Sequence, residues 1–271
     1  MNVTAVASEY ETTSALAFRR LTILPGQDKS GTSEPFSSIT LERGDLVALV
    51  GPTGSGKSRL LADIEWLARG DTPSKRRILL DDREVTGAAR YATGSRLVAQ
   101  LSQTMAFMVD LAVEPFLRLH AESRGHSPET AAVSDVVANV LKAANDLAGE
   151  SFSGHTPLSR LSGGQSRALM IADTALLCQS PIVLVDEIEN AGIDRRRALD
   201  LLLSHEKLVI IATHDPLLAL QARRRFVIQN GGVSAMLRRS DSEVALLAEL
   251  ENLDWRIQSV RTRLRAGEPL L

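Results

Sequence analysis

Unbroken apolar runs bounded by turn residues recur along the chain: "LVALV" from Leu46, "IVLV" from Ile182 and "LVIIAT" from Leu208. Runs of this length without polar alternation fit strands covered on both faces, and they predict a parallel central sheet. After the first run the period changes. In "KSRLLADIEWLARG", Leu60, Leu61, Ile64 and Leu67 recur at helical spacing and Gly70 supplies the stop. A strand followed by a helix, repeated, argues for an α/β fold. Between about residues 110 and 164, "VEPFLRLHAESRG" and "AAVSDVVANVLKAANDLAG" are helical in period and free of strand-like runs, which predicts an inserted helical subdomain. Upstream, "ALAFRRLTI" and "FSSITLERGD" flank the polar loop "PGQDKSGTSEP" and predict an antiparallel N-terminal edge. Downstream, "RRSDSE" leads into a last helix in which Leu246, Leu250, Leu253, Ile257, Val260 and Leu264 follow a four-three spacing, short of three to four full heptads. The expected division is a main domain over residues 1–240 and a C-terminal helical extension over 241–271.

Composition narrows the class. Apolar residues make up 44% and charged residues 24% of the 271, an ordinary globular balance that can bury a sizeable core. Lys plus Arg number 31 against 33 for Asp plus Glu, so no strong field points to nucleic acid. Cys178 is the single cysteine, which excludes an internal disulfide and a cysteine-based metal site. The opening residues lack a basic start followed by a long apolar stretch, and no run of about 18 apolar residues occurs, so a soluble cytoplasmic chain is expected.

The chemistry begins at "GPTGSGKS", from Gly51 to Ser58, which follows a predicted strand and opens a predicted helix. This is the G-x-x-x-x-G-K-[ST] spacing of a phosphate loop. Across Gly51, Pro52, Thr53, Gly54, Ser55 and Gly56, the glycines would let the loop's backbone N–H groups turn inward around a phosphate chain. Lys57 would reach the terminal phosphates and the Ser58 hydroxyl would sit on Mg2+. The expected ligand is a nucleoside triphosphate, ATP foremost. In "PIVLVDEIEN" an apolar strand ends in Asp186 and Glu187, the first placed to hold Mg2+ and the second to orient or deprotonate an attacking water.

A second glycine-rich run, "LSGGQS" from Leu161, carries a resemblance to the ATP-binding cassette (ABC) superfamily. The resemblance implies a head-to-tail dimer in which Ser162, Gly163, Gly164 and Gln165 contact the γ-phosphate held by the partner's Lys57. Backbone N–H groups at a helix N-terminus suit that task. It also implies that His214 of "ATHDP" is the switch histidine, that Asp194 of "ENAGID" belongs to the loop crossing the dimer interface, and that Gln103 links Mg2+ to the helical subdomain, with Gln100 as the competing assignment. The chain departs from the family pattern in three places. No aromatic stands near "ILPGQ" to stack on adenine. Ile188 replaces the usual proline, and "DEIENAGID" is one residue longer than the common form. The closing helix is an addition.

The resemblance implies an ATP hydrolase whose closure drives a partner. The first reading is the ATP-binding subunit of an ABC transporter, peripheral on the membrane through a membrane subunit. The alternative is a soluble ATPase that remodels or activates a protein partner such as a metalloenzyme. Either a homodimer or a pairing with a related cassette would complete the two sites.

Overall fold

The computed structural model describes residues 18–85, 87, 90, 97–102, 107, 109–124, 131–187 and 193–270. Alternation decides the layers. The strands β3 (Leu46–Val50), β7 (Ile182–Asp186) and β8 (Leu208–Ala212) are nearly all buried, and neighbouring residues enter different cores. Val47, Leu49, Ile182, Leu184, Leu208 and Ile210 join one cluster, while Ala48, Val183, Val185, Val209 and Ile211 join another on the opposite face. Period-two geometry sends successive side chains to opposite faces, so a strand covered on both sides needs an unbroken apolar run.

Six strands form the central sheet in the order β10-β9-β3-β8-β7-β6, where β6 is Val98–Leu101, β9 Arg224–Gln229 and β10 Gly232–Arg238. All neighbours are parallel except β9 and β10. The N-terminal strands β1 (Arg20–Leu24) and β2 (Ile39–Glu42) pair antiparallel, as the sequence predicts, in a separate four-stranded sheet with β4 (Arg77–Leu80) and β5 (Arg83–Glu84). Strand β9 is hidden from hydropathy by its two leading arginines. Arg224 pairs with Asp45 and donates to Thr40 O at 2.7 Å, and Arg225 pairs with Glu243, so tertiary partners neutralise the charges.

Helix α1 (Lys57–Glu65) ends a turn before Gly70. Leu67 takes the left-handed conformation at φ 46°, its N–H donates to Ile64 O at 3.0 Å, and the Ala68 N–H donates to Asp63 O at 2.9 Å. That pair of bonds is a Schellman ending, normally built on glycine. Leu67 fills it because its side chain is buried in the first core.

Helices α2 (Val113–Ser123), α3 (Ala131–Leu147) and α4 (Gly163–Leu176) share a third cluster that includes Val113, Leu117, Val137, Val140 and Leu169. Helices α5 (Arg195–Leu203) and α6 (Pro216–Gln221) cover the second face of the sheet. The last helix, α7 (Asp241–Arg265), rests on this face through Leu247 and Leu250.

Candidate nucleotide site

The phosphate loop joins β3 to α1, at the carboxyl edge where open α/β sheets take ligands. Two glycines are required by contact. A Cβ on Gly51 (φ 153°) would lie 2.4 Å from Ile228 O, and one on Gly56 (φ 107°) would lie 2.5 Å from Gly231 Cα. The β9–β10 turn therefore presses against the loop, and the Gly231 N–H donates to Ser55 O at 2.6 Å. From the other side Lys29 Nζ donates to Gly54 O at 2.8 Å, and the Lys29 N–H donates to Asn230 O at 2.7 Å.

Beneath this clamp lies a buried ionic junction. Arg76, fully buried, donates to Glu34 Oε2 at 2.9 Å and Oε1 at 2.7 Å, to Asp63 Oδ2 at 2.6 Å and to Gly231 O at 2.8 Å. Glu34 also accepts from the N–H groups of Gly26 and Val233. Burial pushes the Glu34 carboxyl up, but the Arg76 hydrogen bonds and charge, with the two backbone donors, outweigh it and hold the carboxyl below its ordinary 4.5. The junction ties the loop after β1, helix α1 and the β9–β10 turn together. Charged residues so far apart in the chain gave no sequence signal of their meeting. The loop "PGQDKSGTSEP", read only as polar, carries two of the parts, Lys29 and Glu34.

Strand parity places the acidic pair. Asp186 follows Ile182 and Leu184 on the face that carries α1, and Ser58 Oγ donates to Asp186 Oδ2 at 3.3 Å. Glu187 sits one residue beyond the strand with a left-handed backbone, φ 53°, while its N–H still donates to Ala212 O at 3.0 Å. A non-glycine residue in that region stores backbone strain of about 1–3 kcal/mol, a feature that clusters at functional sites. The β7–β8 register pairs Asp186 with Ala212, so His214 emerges beside Glu187, with Nε2 3.7 Å from Glu187 Oε1.

Lys57 completes the cluster. Its buried ammonium donates to Gly51 O at 2.9 Å and Pro52 O at 3.3 Å and lies 2.9 Å from His214 Nε2. An ammonium has only donors, so the ring nitrogen accepts and the proton is assigned to Nδ1. Ser55 Oγ is buried and has no hydrogen-bond partner among the described residues. An unsatisfied hydroxyl inside a ring of loop backbone fits a phosphate oxygen, and the Ser58–Asp186 oxygens fit a hard divalent cation.

The second glycine-rich run builds a different structure. Ser162 caps α4 in a reciprocal box: its Oγ accepts from the Gln165 N–H at 3.2 Å, and its N–H donates to Gln165 Oε1 at 2.9 Å. Gln165 Nε2 donates to Glu150 O at 3.2 Å, so its amide holds the helix start rather than reaching outward. Gly163 has open space where a Cβ would stand. Among the described residues no hydrogen bond joins Ser162–Gln165 to the phosphate loop. Asp194 caps α5, accepting from the Arg197 N–H at 3.1 Å. Gln103 lies outside the described residues, as do residues 188–192 of the lengthened "DEIENAGID". Gln100 lies on β6 with the parity of the α1 face, its amide nitrogen, oriented to donate, 2.9 Å from Glu65 Oε2. Glu65 is seven residues along α1 from Ser58, about 10 Å.

Sheet, loop and acidic pair define a P-loop nucleotide hydrolase of α/β architecture. A family model described as ABC transporter matches residues 37–190. The chain is 45% identical over 255 residues to the uncharacterized ABC transporter ATP-binding protein MJ0121 of Methanocaldococcus jannaschii, covering 94% of this chain and 96% of that protein. It is 32% identical over 217 residues to the macrolide export ATP-binding/permease protein MacB of Bradyrhizobium diazoefficiens, covering 78% of this chain but 32% of that protein. The solved structure of cbiO1 from Clostridium perfringens, part of the ABC transporter complex cbiONQ, aligns with TM-score 0.62 at 20% identity over 92% of this chain and 99% of that one. A dimeric post-hydrolysis state of the ATP-binding cassette MJ0796, bound to ADP and Pi, aligns with TM-score 0.58 at 21% identity over 81% and 99%. At these identities the structural likeness speaks for the fold. The chain belongs to the ABC transporter family and is an ATP-binding, ATP-hydrolysing cassette.

Proposed function

We propose that this cassette is the ATP-binding subunit of an ABC transporter, that it closes as a head-to-tail dimer around two nucleotides, and that Glu187 and His214 place the attacking water. The observation that carries the reading is the convergence of Lys57, His214 and Glu187 at one point of the sheet edge, beside the Ser58–Asp186 pair. Loop N–H groups and the Ser55 hydroxyl take the phosphate oxygens. Lys57 exchanges the Gly51 and Pro52 carbonyls for the terminal phosphates, which frees His214 Nε2 to accept from the attacking water. Ser58 and Asp186, with Gln103, would hold Mg2+, which when bound neutralises phosphate charge. Phosphoryl transfer depends chiefly on positioning and charge stabilisation, so the residues act mostly by being held in place. Ser162, Gly163, Gly164 and Gln165 of the opposing copy supply the other wall, and Asp194 lies at the interface. The helices α2 and α3 are the surface for a membrane subunit, which would hold the cytoplasmic cassette at the membrane. Among the described residues no helix is long and apolar enough to cross a membrane, which fits a separate membrane subunit.

The test is Glu187→Gln. Removing the carboxylate base while keeping the side-chain shape lowers the ATP hydrolysis rate by about 100-fold or more and leaves ATP affinity unchanged. Hydrolysis at the parental rate would remove Glu187 from the mechanism.

A further inference from the structure

We infer that α7 is a self-association surface: its exposed apolar seam pairs antiparallel with the α7 of a second copy of this chain, and the contact forms without nucleotide. The seam is Leu246, Leu250, Leu253, Ile257, Val260 and Leu264, and all but Leu250 are between 42% and 57% exposed. Leu250 is half-buried against the domain beside Leu247, which anchors the first half of the helix. Glu251 and Asp254 reinforce that anchor by pairing with Arg196 and Arg195 of α5. Eight of the ten residues from Trp255 to Leu264 are exposed and none is buried, so the second half of α7 only flanks its own domain, across an open groove that Trp255, Ile257 and Arg261 line.

A four-three spacing gives knobs-into-holes packing against another helix, and an aliphatic seam left in water gains nothing. Half-exposed aliphatic side chains along nearly three heptads reach the largest apolar patch usual on a monomer, about 300–600 Å2. Joining two such faces buries on the order of 1,000 Å2, where specific interfaces begin.

Charge order identifies the occupant. Asp241, Glu243, Glu249, Glu251 and Asp254 fill the first half of α7, and Arg256, Arg261, Arg263 and Arg265 fill the second, with no charge of the other sign in either half. That order suits the helix dipole, but the dipole does not call for an exposed seam. A parallel, in-register pair would set Glu249 beside the partner's Asp254 and Arg256 beside the partner's Arg261, two repulsive contacts. An antiparallel pair lays each acidic half on a basic half, with Glu249 near the partner's Arg263 and the partner's Glu249 near Arg263 in turn, and like charges meet only at the two-fold axis, where Asp254 and Arg256 each face their own counterparts. In the same register Leu246 meets the partner's Leu264, Leu250 the partner's Val260, and Leu253 the partner's Ile257. Every member of the seam then has an apolar counterpart, and the pair obeys two-fold symmetry. The inference does not depend on the ATP-driven dimer, because the seam lies on α7 and not at the phosphate loops.

The experiment measures the mass of the full chain by light scattering without nucleotide, from about 1 to 100 μM. The expected result is a monomer–dimer equilibrium in that range. Ile257→Glu and Val260→Glu, both at exposed positions, weaken it at least about tenfold, because each puts a carboxylate into the seam. Orientation is read by mixing a Leu246→Cys chain with a differently tagged Leu264→Cys chain under mild oxidation, Cys178 being buried. A mixed disulfide dimer is expected. A chain that stays monomeric, a dimer indifferent to both Glu variants, a dimer that appears only with MgATP, or disulfides that form within each variant and not between them would each overturn the inference. So would a monomer that sediments instead with anionic phospholipid vesicles, which would make the seam a lipid-facing surface.

Discussion

Arg76 is the residue on which the phosphate loop rests. It contributes nothing to chemistry, yet it holds Glu34, Asp63 and the Gly231 carbonyl at once in full burial. Arg76→Met would leave two carboxylates uncompensated, an arrangement that costs about 3–5 kcal/mol. The urea midpoint should fall accordingly. Because Gly231 backs the loop at Ser55 and Gly56, ATP affinity measured on the fraction still folded should fall too. The same junction sets a pH dependence. Glu34 has its folded-state pKa depressed, so its contribution is fully present above the ordinary 4.5 and is lost as pH falls through the lower folded value. Acid titration of stability should show a loss beginning below about pH 4.5 that Glu34→Gln reduces.

Among the elements, α7 reaches the nucleotide site through one side chain. Arg195, the first residue of α5, pairs with Asp254 of α7 at 2.9 Å and with Asp215. Asp215 caps α6, accepting from the Leu217 N–H at 2.8 Å, and directly follows His214. The ordering of the histidine turn therefore depends on a helix that is not part of the cassette's phosphate machinery. A groove of about 710 Å3 beside this contact is lined by Asp194, Arg195, Asp254 and Trp255, so the start of α5 and α7 share a wall. Asp254→Asn should lower kcat, by up to about 100-fold if His214 shifts by an ångström, with little change in ATP affinity. Equal losses in kcat and affinity, or none, would show that Arg195 only stabilises the fold. Comparing steady-state hydrolysis with nucleotide binding separates these results.

At the scale of the whole molecule, the glycine-rich runs at Gly51 and Ser162 are separate sites in one chain, and the head-to-tail dimer is what would join them. The mass of Glu187→Gln with and without MgATP checks this. A nucleotide-dependent rise that persists in a chain also carrying Ile257→Glu would separate the ATP-driven contact from the α7 contact. Local chemistry made the phosphate loop, Asp186 at the end of its strand and the three doubly covered strands legible in the sequence. Their signals are contiguous, because a loop or a buried strand is specified by residues within a turn or two of one another. The meeting of Ser58 with Asp186 followed from parity once the strand was known. What the tertiary structure alone decided is the Arg76 junction, the left-handed backbone of Glu187, β9 behind its arginines and the Arg195 link to α7. Each depends on residues far apart in the chain whose charges or strain are unfavourable until a distant partner is in place, and that partner is chosen by the fold.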